Sequence, residues 1–350
     1  MHIKTLDYKD FEHVISCSDP DTGLEAIIAI HDTTLGPSLG GTRMWPYPNK
    51  EAALIDVLRL ARGMTFKAAA AALNVGGGKA VIIGDPKKDK TEEMLRMYGK
   101  FIDTLKGQYI TAEDVGTTQN DMDVIRKETD HVVGISGASG DPSPFTAYGT
   151  YLGIKTAVKE VFGTDELSGK TIAVQGIGSV GYQLCKLLYK EGAQLIVSDL
   201  DNTKINKAKS EFEAMVPTTK EIFEVECDVF APCAMGAVIN DTTINKLHCK
   251  IVAGAANNVL AEDKHGTVLK ELGILYIPDY VINAGGLINV ADELNGYNEF
   301  SVLKKIRNIP ITIKNILALA KAKHISTNAA ADQFVQDRLS SVGVTRGTGL

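Results

Sequence analysis

Little in this 350-residue chain points to a stapled, metal-built or membrane-embedded structure. Cysteine is scarce. Cys17, Cys185, Cys227, Cys233 and Cys249 make an odd number with no C-x-x-C pair, which argues against a disulfide framework and gives no zinc spacing. Free thiols, buried or half-buried, are the expectation. The histidines are scattered, without H-E-x-x-H or a similar ligand spacing, so no metal is expected. His31 closes an apolar, strand-like run and reads as a satisfied structural histidine. No apolar run approaches the roughly 20 residues of a bilayer span. The opening MHIKTLDYKDFEHV lacks the apolar centre of a signal peptide. An excess of positive charge is also missing: the net charge is −6, which leaves no electrostatic case for nucleic acid or an anionic membrane. A cytoplasmic location is the resulting expectation. There is no internal repeat and no low-complexity segment.

What is present suits a folded α/β chain. Hydrophobic residues are 44% and charged residues 23%, and the length favours two domains. Up to about residue 144, strands and helices are mixed. LEAIIAIH (24–31) has the content of a buried strand. TTLGPSLGGTRMWPYP (33–48), rich in Gly and Pro, reads as loop. EAALIDVLRLARGMTFKAAAAAL (51–73) is helical, and Gly63 leaves one imperfect helix or two. KAVIIGDP is a strand ended by Gly and Pro, DKTEEMLRMYGKFIDTL (89–105) a helix capped by Asp89 or Thr91, and QYITAEDVGTT a strand followed by a loop. After GASGDPSP (137–144) the rhythm becomes helix, then repeated strand–helix units. KTIAVQG, SVGYQLCKLLYKEG and QLIVSDL lead, and the short strands CDVFAPC, KIVAGAANN and ILYIPDYVIN follow. That alternation indicates a mostly parallel sheet. Pro310 should kink or split the later helix VLKKIRNIPITIKNILALAKA.

Three constellations carry chemistry. Gly176, Ile177, Gly178, Ser179, Val180 and Gly181 form G-x-G-x-x-G between a strand and a helix, and Asp199 ends the next strand at the required spacing. Glycines there let backbone approach a pyrophosphate, and the helix N-terminus supplies free N–H groups. Asp199 would accept from ribose hydroxyls and repel a 2′-phosphate. With no arginine nearby, NAD is expected over NADP. The second constellation is Lys67 with Lys79, across a helix–turn–strand. Two such cations suit a substrate carboxylate, and desolvation could make one of them a usable acid–base group. On residue type alone, two solvated surface lysines are the better reading. The third is TAEDVG, where Asp114 could serve a site loop or merely a turn. The stretch NVGGGKAV (74–81) adds a question of its own. Three glycines before Lys79 need either space or a positive-φ turn.

Taken together, AIIAIHDTTLGPSLGGTRMWPY, RGMTFKAAAA, GGGKAVIIGDP, YITAEDVGTT, VQGIGSVG, APCAMGA, AGAANN and PDYVINAGGLINVADEL resemble the glutamate/leucine/phenylalanine/valine family of amino acid dehydrogenases from about residue 11 to 339. The resemblance implies an N-terminal α/β domain for substrate binding and oligomerisation (1–144), a Rossmann-type NAD-binding domain (145–325), a cleft between them, and a C-terminal helix (about 326–350) that returns to the first domain. It implies reversible, NAD-dependent oxidative deamination of an L-amino acid to the 2-oxo acid and ammonia. Lys67 matches the lysine that holds the substrate carboxylate, Lys79 the catalytic lysine and Asp114 the catalytic aspartate. Gly40 and Gly41 match a glycine turn at the carboxylate site. Asn257 and Asn258 fall on the segment that touches substrate, and Thr146 and Asn283 match positions near the nicotinamide.

Leu39, Ala112, Leu287 and Val290 match positions that line the side-chain pocket. All are apolar, which disfavours glutamate. Ala112 follows the leucine-type pattern. Leu287 departs toward the phenylalanine enzymes, and the third glycine of GGGK is also a departure. A branched-chain substrate (leucine, also valine and isoleucine) is expected, with an aromatic amino acid as the alternative. A non-catalytic NAD-binding regulator would show the glycine loop with a broken Lys67–Lys79–Asp114 set, whereas all three are present. A hydroxy acid dehydrogenase would need a histidine–carboxylate pair that is not found. The resemblance also implies a homo-oligomer, an octamer or, given the short tail VGVTRGTGL, a dimer.

Overall fold

The computed structural model describes residues 1–217 and 221–347, the last four as backbone only. The end of the expected C-terminal helix, 348–350, and the side chains of the tail from 344 lie outside the described residues. Two compact units divide the chain. The first takes in Met1–Gly140, Asn289–Glu299 and, of the described residues, 337–347; the second takes in Asp141–Ile288 and Phe300–Gln336.

The first unit is a six-stranded mixed sheet. Its strands are β1 (His2–Leu6), β2 (His13–Asp19), β3 (Leu24–Asp32), β4 (Ser38–Trp45), β5 (Gly76–Ile83) and β6 (Tyr109–Glu113), in the order β1-β2-β3-β5-β4-β6. Pairing is antiparallel from β1 to β5 and parallel across β5-β4-β6. Side chains alternate between two apolar layers, as a pleated strand covered on both faces requires. Ile28, Ile30, Ala80 and Ile82 pack with Met94, Tyr98 and Phe101 of α2 (Glu92–Asp103) and with Met122 and Ile125 of α3 (Gln119–Arg126). Ile27, Ala29 and Val81 pack with Ala53, Val57 and Ala61 of α1 (Lys50–Ala70) on the opposite face.

α1 is one helix, capped by Asn49, which accepts from the Ala52 N–H at 2.8 Å. Gly63 does not break it, and a Cβ there would meet nothing. Thr91, not Asp89, caps α2. The expected loop 33–48 is instead largely strand: β4 runs through Gly40 and Gly41, because backbone from neighbouring strands approaches closely on either side. A Cβ on Gly40 would strike the Gly78 carbonyl, and one on Gly41 the Glu113 carbonyl. The glycine pair therefore sits within a strand rather than in a turn. β1 and β2 lack a sequence expectation; β1 is an exposed edge strand whose residues are mostly polar.

The second unit is a five-stranded parallel sheet. Its strands are β7 (Thr171–Gln175), β8 (Gln194–Ser198), β9 (Val229–Pro232), β10 (Ile251–Val252) and β11 (Leu275–Tyr276), in the order β11-β10-β9-β7-β8. Its helices are α4 (Ser143–Phe162), α5 (Ser179–Lys190), α6 (Asn202–Phe212), α7 (Lys264–Glu271) and α8 (Asp279–Ile282). The next helix, α9 (Gly285–Ala291), runs across the boundary between units. Pro310 splits the following run into α10 (Glu299–Ile306) and α11 (Ile309–Lys323), in whose first turn it lies, where a missing N–H costs nothing. α12 (Thr327–Gly347) contributes its later turns to the first unit. There Arg338 donates to the Ala69 carbonyl and, at 2.9 Å, to the Leu73 carbonyl, capping the end of α1. Glu293 likewise ties the 289–299 segment to the first unit, accepting from Gly134 and Ser139 N–H groups at 2.9 and 3.1 Å. No described helix is long and apolar enough to cross a membrane.

Candidate active site

In the first unit, β5, β4 and β6 bring several of the marked residues together. Lys79 lies in β5 and its side chain is only 7% exposed; its Nζ stands 3.2 Å from Asp114 Oδ2, just past the end of β6. The same oxygen accepts from Arg43 Nε at 3.0 Å. Arg43, on β4, also donates to Asp56 of α1 at 2.9 Å, and Tyr47 and Arg59 complete the shell around Asp56. Burial would push the Asp114 carboxyl up, but the Lys79 ammonium, the Arg43 guanidinium and their hydrogen bonds hold it below the usual carboxylate range. The backbone is fixed as well: the Asp114 N–H donates to Thr117 Oγ1 at 2.9 Å, and that hydroxyl donates to the Thr42 carbonyl at 2.8 Å.

Arg43 was missed in the sequence although GGTRMW contains it, because its acidic partner is 71 residues away. Below the pair lies a buried hydroxyl network that the sequence did not suggest. Tyr98 Oη and Thr111 Oγ1 each lie 2.6 Å from Thr42 Oγ1, and Tyr109 Oη donates to the Gly40 carbonyl at 2.6 Å. Burial pushes the Tyr109 phenol up to about 12, so it stays a neutral donor.

The glycines of NVGGGKAV belong to β5, and none of the three has positive φ. They are there for close approach. A Cβ on Gly77 would strike Thr65 of α1, and one on Gly78 would sit 2.8 Å from Ser38 Oγ and 2.9 Å from the Tyr109 ring. Lys67, two residues beyond Thr65 in the last turn of α1, is half-buried. Leu39 pairs with Gly77 and with Ile110, and Gly41 with Ala112. Both apolar residues are buried, Leu39 within the strand core. His31, at the β3 bulge, has Nδ1 2.9 Å from Thr65 Oγ1 and a T-shaped contact with Phe11.

In the second unit the dinucleotide features stand as a set. Gly176 has φ 92° and Gly178 is the N-cap of α5 without a capping side chain. A Cβ on Gly181 would strike the Gly176 carbonyl, so helix and loop must meet through glycine. Ser179 and Val180 open the first turn of α5, whose N–H groups no capping side chain takes. Asp199 Oδ2 accepts from the Ile177 N–H at 2.7 Å and Oδ1 from the Asp201 N–H at 2.9 Å, so the carboxylate also braces the loop. A cavity of about 420 Å³ is lined by Ile177, Gly178, Ser179 and Tyr182 together with Lys204 and Lys207. Lys204 Nζ lies 3.9 Å from Asp199 Oδ1. No arginine lines the cavity, but these two lysines do, and nothing in their local sequence marks them.

Asn283 is buried with Nδ2 donating to Asn257 Oδ1 at 2.8 Å and to the Ala255 carbonyl at 3.1 Å. Its Oδ1 has no partner. An orphaned buried acceptor suits the amide of a nicotinamide, and the glycine loop and uncapped helix suit a pyrophosphate, so the residues fit a dinucleotide. Asn258 follows at φ 52°, and Thr146 Oγ1 donates to the Pro142 carbonyl; a Cβ on Gly286 would strike that hydroxyl. Leu287 and Val290 are half-buried on α9, three residues apart and so on one side of it.

Among the described residues, Asp241, Glu262 and His265 form one group that could ligate a metal. Lys264 already neutralises both carboxylates at 3.3 and 3.2 Å, and His265 Nδ1 accepts from the Glu262 N–H, which makes it a satisfied cluster at the start of α7.

Residues 11–131 match the family described as Glu/Leu/Phe/Val dehydrogenase, dimerisation domain, and residues 197–330 match Glutamate/Leucine/Phenylalanine/Valine dehydrogenase. The chain is 57% identical to a leucine dehydrogenase of Bacillus cereus over 99% of its own length and 95% of the relative's. It is 49% identical to a phenylalanine dehydrogenase of Caldalkalibacillus thermarum, over 94% and 91%. The crystal structure of L-tryptophan dehydrogenase from Nostoc punctiforme superposes with a TM-score of 0.84 at 47% identity, covering 95% of this chain and 97% of that one. The chain belongs to the glutamate/leucine/phenylalanine/valine dehydrogenase family and is an amino acid dehydrogenase, an enzyme class that works with a nicotinamide cofactor.

Proposed function

We propose that the enzyme catalyses the NAD-dependent, reversible oxidative deamination of branched-chain L-amino acids, leucine first and valine and isoleucine with it. The observation that carries the reading is the buried ion pair between Lys79 of β5 and Asp114, just past the end of β6. Substrate binding is assigned to the first unit and NAD binding to the second. Lys67 holds the substrate carboxylate, with Gly40 and Gly41 giving it room. Leu39, Ala112, Leu287 and Val290 supply the apolar side-chain pocket, and Asn257 and Asn258 complete the substrate contacts. Gly176, Ile177, Gly178, Ser179, Val180 and Gly181 carry the pyrophosphate, Asp199 the adenosine ribose, and Thr146 and Asn283 the nicotinamide end.

NAD, when bound, accepts the hydride that leaves the α-carbon. Lys67 fixes the carboxylate and thereby which hydrogen is presented. Lys79, having released its resting proton to solvent, takes a proton from the water that adds to the resulting imino carbon. Asp114 takes a proton from the carbinolamine hydroxyl and returns one to nitrogen, so that ammonia leaves and the carbonyl forms. Across the cycle one water is consumed, and amino acid becomes 2-oxo acid plus ammonia. The ionised state of Asp114, held by Lys79 and Arg43, supports this division of labour.

Asp199 supports NAD over NADP, since a 2′-phosphate would meet its carboxylate. A cytoplasmic homo-oligomer, octamer or dimer, completes the proposal. Steady-state kcat/KM for Leu, Val, Ile, Phe and Trp with NAD and with NADP tests it. Highest values for the branched aliphatics with NAD are expected. A preference for Phe or Trp would replace the substrate assignment with the aromatic one, and a preference for NADP would overturn the cofactor assignment.

A further inference from the structure

Away from these residues, at the opposite ends of the parallel strands from the glycine loop, the second unit carries a pair of cysteines that the deamination chemistry does not use. Val229 of β9 pairs with Ile251 of β10, and Glu226 bridges His248 in the same parallel sense. Two residues back from Val229 and Ile251, that register sets Cys227 directly opposite Cys249. The Cys227 N–H donates to the His248 carbonyl at 3.1 Å, which holds the two segments together at this point. Adjacent strands lie about 4.8 Å apart, within the Cα separation of about 4.4–6.8 Å that a disulfide spans. Both residues line an open cavity of about 730 Å³ bordered by Phe162, His248 and Lys250. Cys249 is 8% exposed, and Cys227 is half-buried.

We propose that Cys227 and Cys249 form a redox-active dithiol, a modification site at which a peroxide reversibly closes a disulfide across the start of β9 and β10. The other three cysteines offer a contrast. Burial pushes Cys17 and Cys233 up to about 11 and Cys185 higher still, which leaves them as unreactive thiols. Cys249 alone is shifted down: the Cys227 thiol donates to it and outweighs its burial, and the Phe230 and Ile251 N–H groups and Lys250 add to the effect. Cys227 is correspondingly shifted up as the donor. Cys249 is assigned as the attacker because Lys250, the next residue, lines the same cavity and offers a cation beside the forming thiolate, which leaves Cys227 as the resolver. Cys249 sulfur attacks a peroxide oxygen, the O–O bond breaks, and a protonated oxygen leaves as water with Cys249 as the sulfenic acid. Cys227 sulfur then attacks Cys249 sulfur, the S–O bond breaks, and the hydroxyl leaves as a second water with the Cys227 proton. Two thiols lose two electrons and two protons, and hydrogen peroxide becomes two waters.

The test uses the intact enzyme. It is exposed to hydrogen peroxide, quenched, denatured and titrated for free thiols, with peptide mapping of the non-reduced digest. The titre is expected to fall from five to three, with a Cys227–Cys249 cross-linked peptide and recovery on adding dithiothreitol. Cys227→Ser is expected to keep its four remaining thiols from pairing and to accumulate sulfenic or sulfinic acid at Cys249. Cys249→Ser is expected to keep all four of its thiols reduced at the same dose. A full titre in the wild-type enzyme, a cross-link between other cysteines, or oxidation that stops at one cysteine without pairing would overturn the proposal.

Discussion

Lys79 Nζ lies 3.2 Å from Asp114 Oδ2, and the lysine side chain is almost withdrawn from solvent. A buried cation is tolerable only where an anion answers it. The relationship holds because β4 lies between β5 and β6: its glycines let the two outer strands come close enough for a β5 side chain to reach the end of β6. Strand packing and acid–base chemistry are therefore set by the same residues.

Arg43 is expected to act as a positioning residue. It shares Asp114 Oδ2 with Lys79 and is itself anchored by Asp56. Arg43→Ala should lower kcat by roughly tenfold or more while changing KM for the amino acid less, with Arg43→Lys recovering part of the loss. An unchanged kcat in Arg43→Ala, with folding intact, would show that Asp114 needs no such brace.

Gly78→Ala should cost stability, by roughly 1–3 kcal/mol, as overpacked core substitutions do. Its Cβ would fall 2.8 Å from Ser38 Oγ and 2.9 Å from the Tyr109 ring. Denaturant unfolding midpoints of wild type and variant measure this, and equal midpoints would contradict the packing account.

His31 should contribute a loss of stability on mild acidification. Burial holds its imidazole below its ordinary value, against the pull of Asp32 and Glu12. The folded state thus keeps His31 neutral where the unfolded chain already binds the proton. Stability is full above the unfolded value of about 6.5 and declines as the pH falls below it. The thermal midpoint of His31→Gln should therefore change less than that of wild type between roughly pH 7 and pH 5. Parallel profiles would rule this role out.

Asp199→Asn should shift cofactor preference toward NADP. The substitution removes the charge that opposes a 2′-phosphate and leaves Lys204 and Lys207 in the same cavity to attract it. The ratio of kcat/KM for NAD to that for NADP is the readout, with a fall of about tenfold or more expected. An unchanged ratio would mean that Asp199 serves mainly as the brace of Ile177.

The legible parts of the sequence were those with local rules. The strand, glycine loop and helix around G-x-G-x-x-G, the Thr91 cap of α2 and the split at Pro310 each depend on residues within one supersecondary unit. Residues 33–48 were misjudged because Gly and Pro usually mark loops, whereas here glycine answers the close passage of β5 and β6, a long-range requirement. β1 gave no signal because an exposed edge strand has no buried face to show in its pattern. Arg43, the Thr42–Tyr98–Thr111 network and the Cys227–Cys249 pair join residues apart in the chain, which sheet register and, for Tyr98, the packing of α2 on the sheet bring together. Lys204 and Lys207 were local but unmarked, since surface lysines one turn apart on a helix are ordinary until a cavity lies beneath them.

The central claim is that Lys79 is the acid–base group of the deamination. The most direct measurement is kcat for NAD-dependent oxidation of leucine by Lys79→Ala, alongside circular dichroism to verify the fold. A fall of roughly 10²–10⁴-fold with the fold retained is predicted, the range over which a positioned acid–base group contributes. A folded variant with kcat near that of wild type would contradict it.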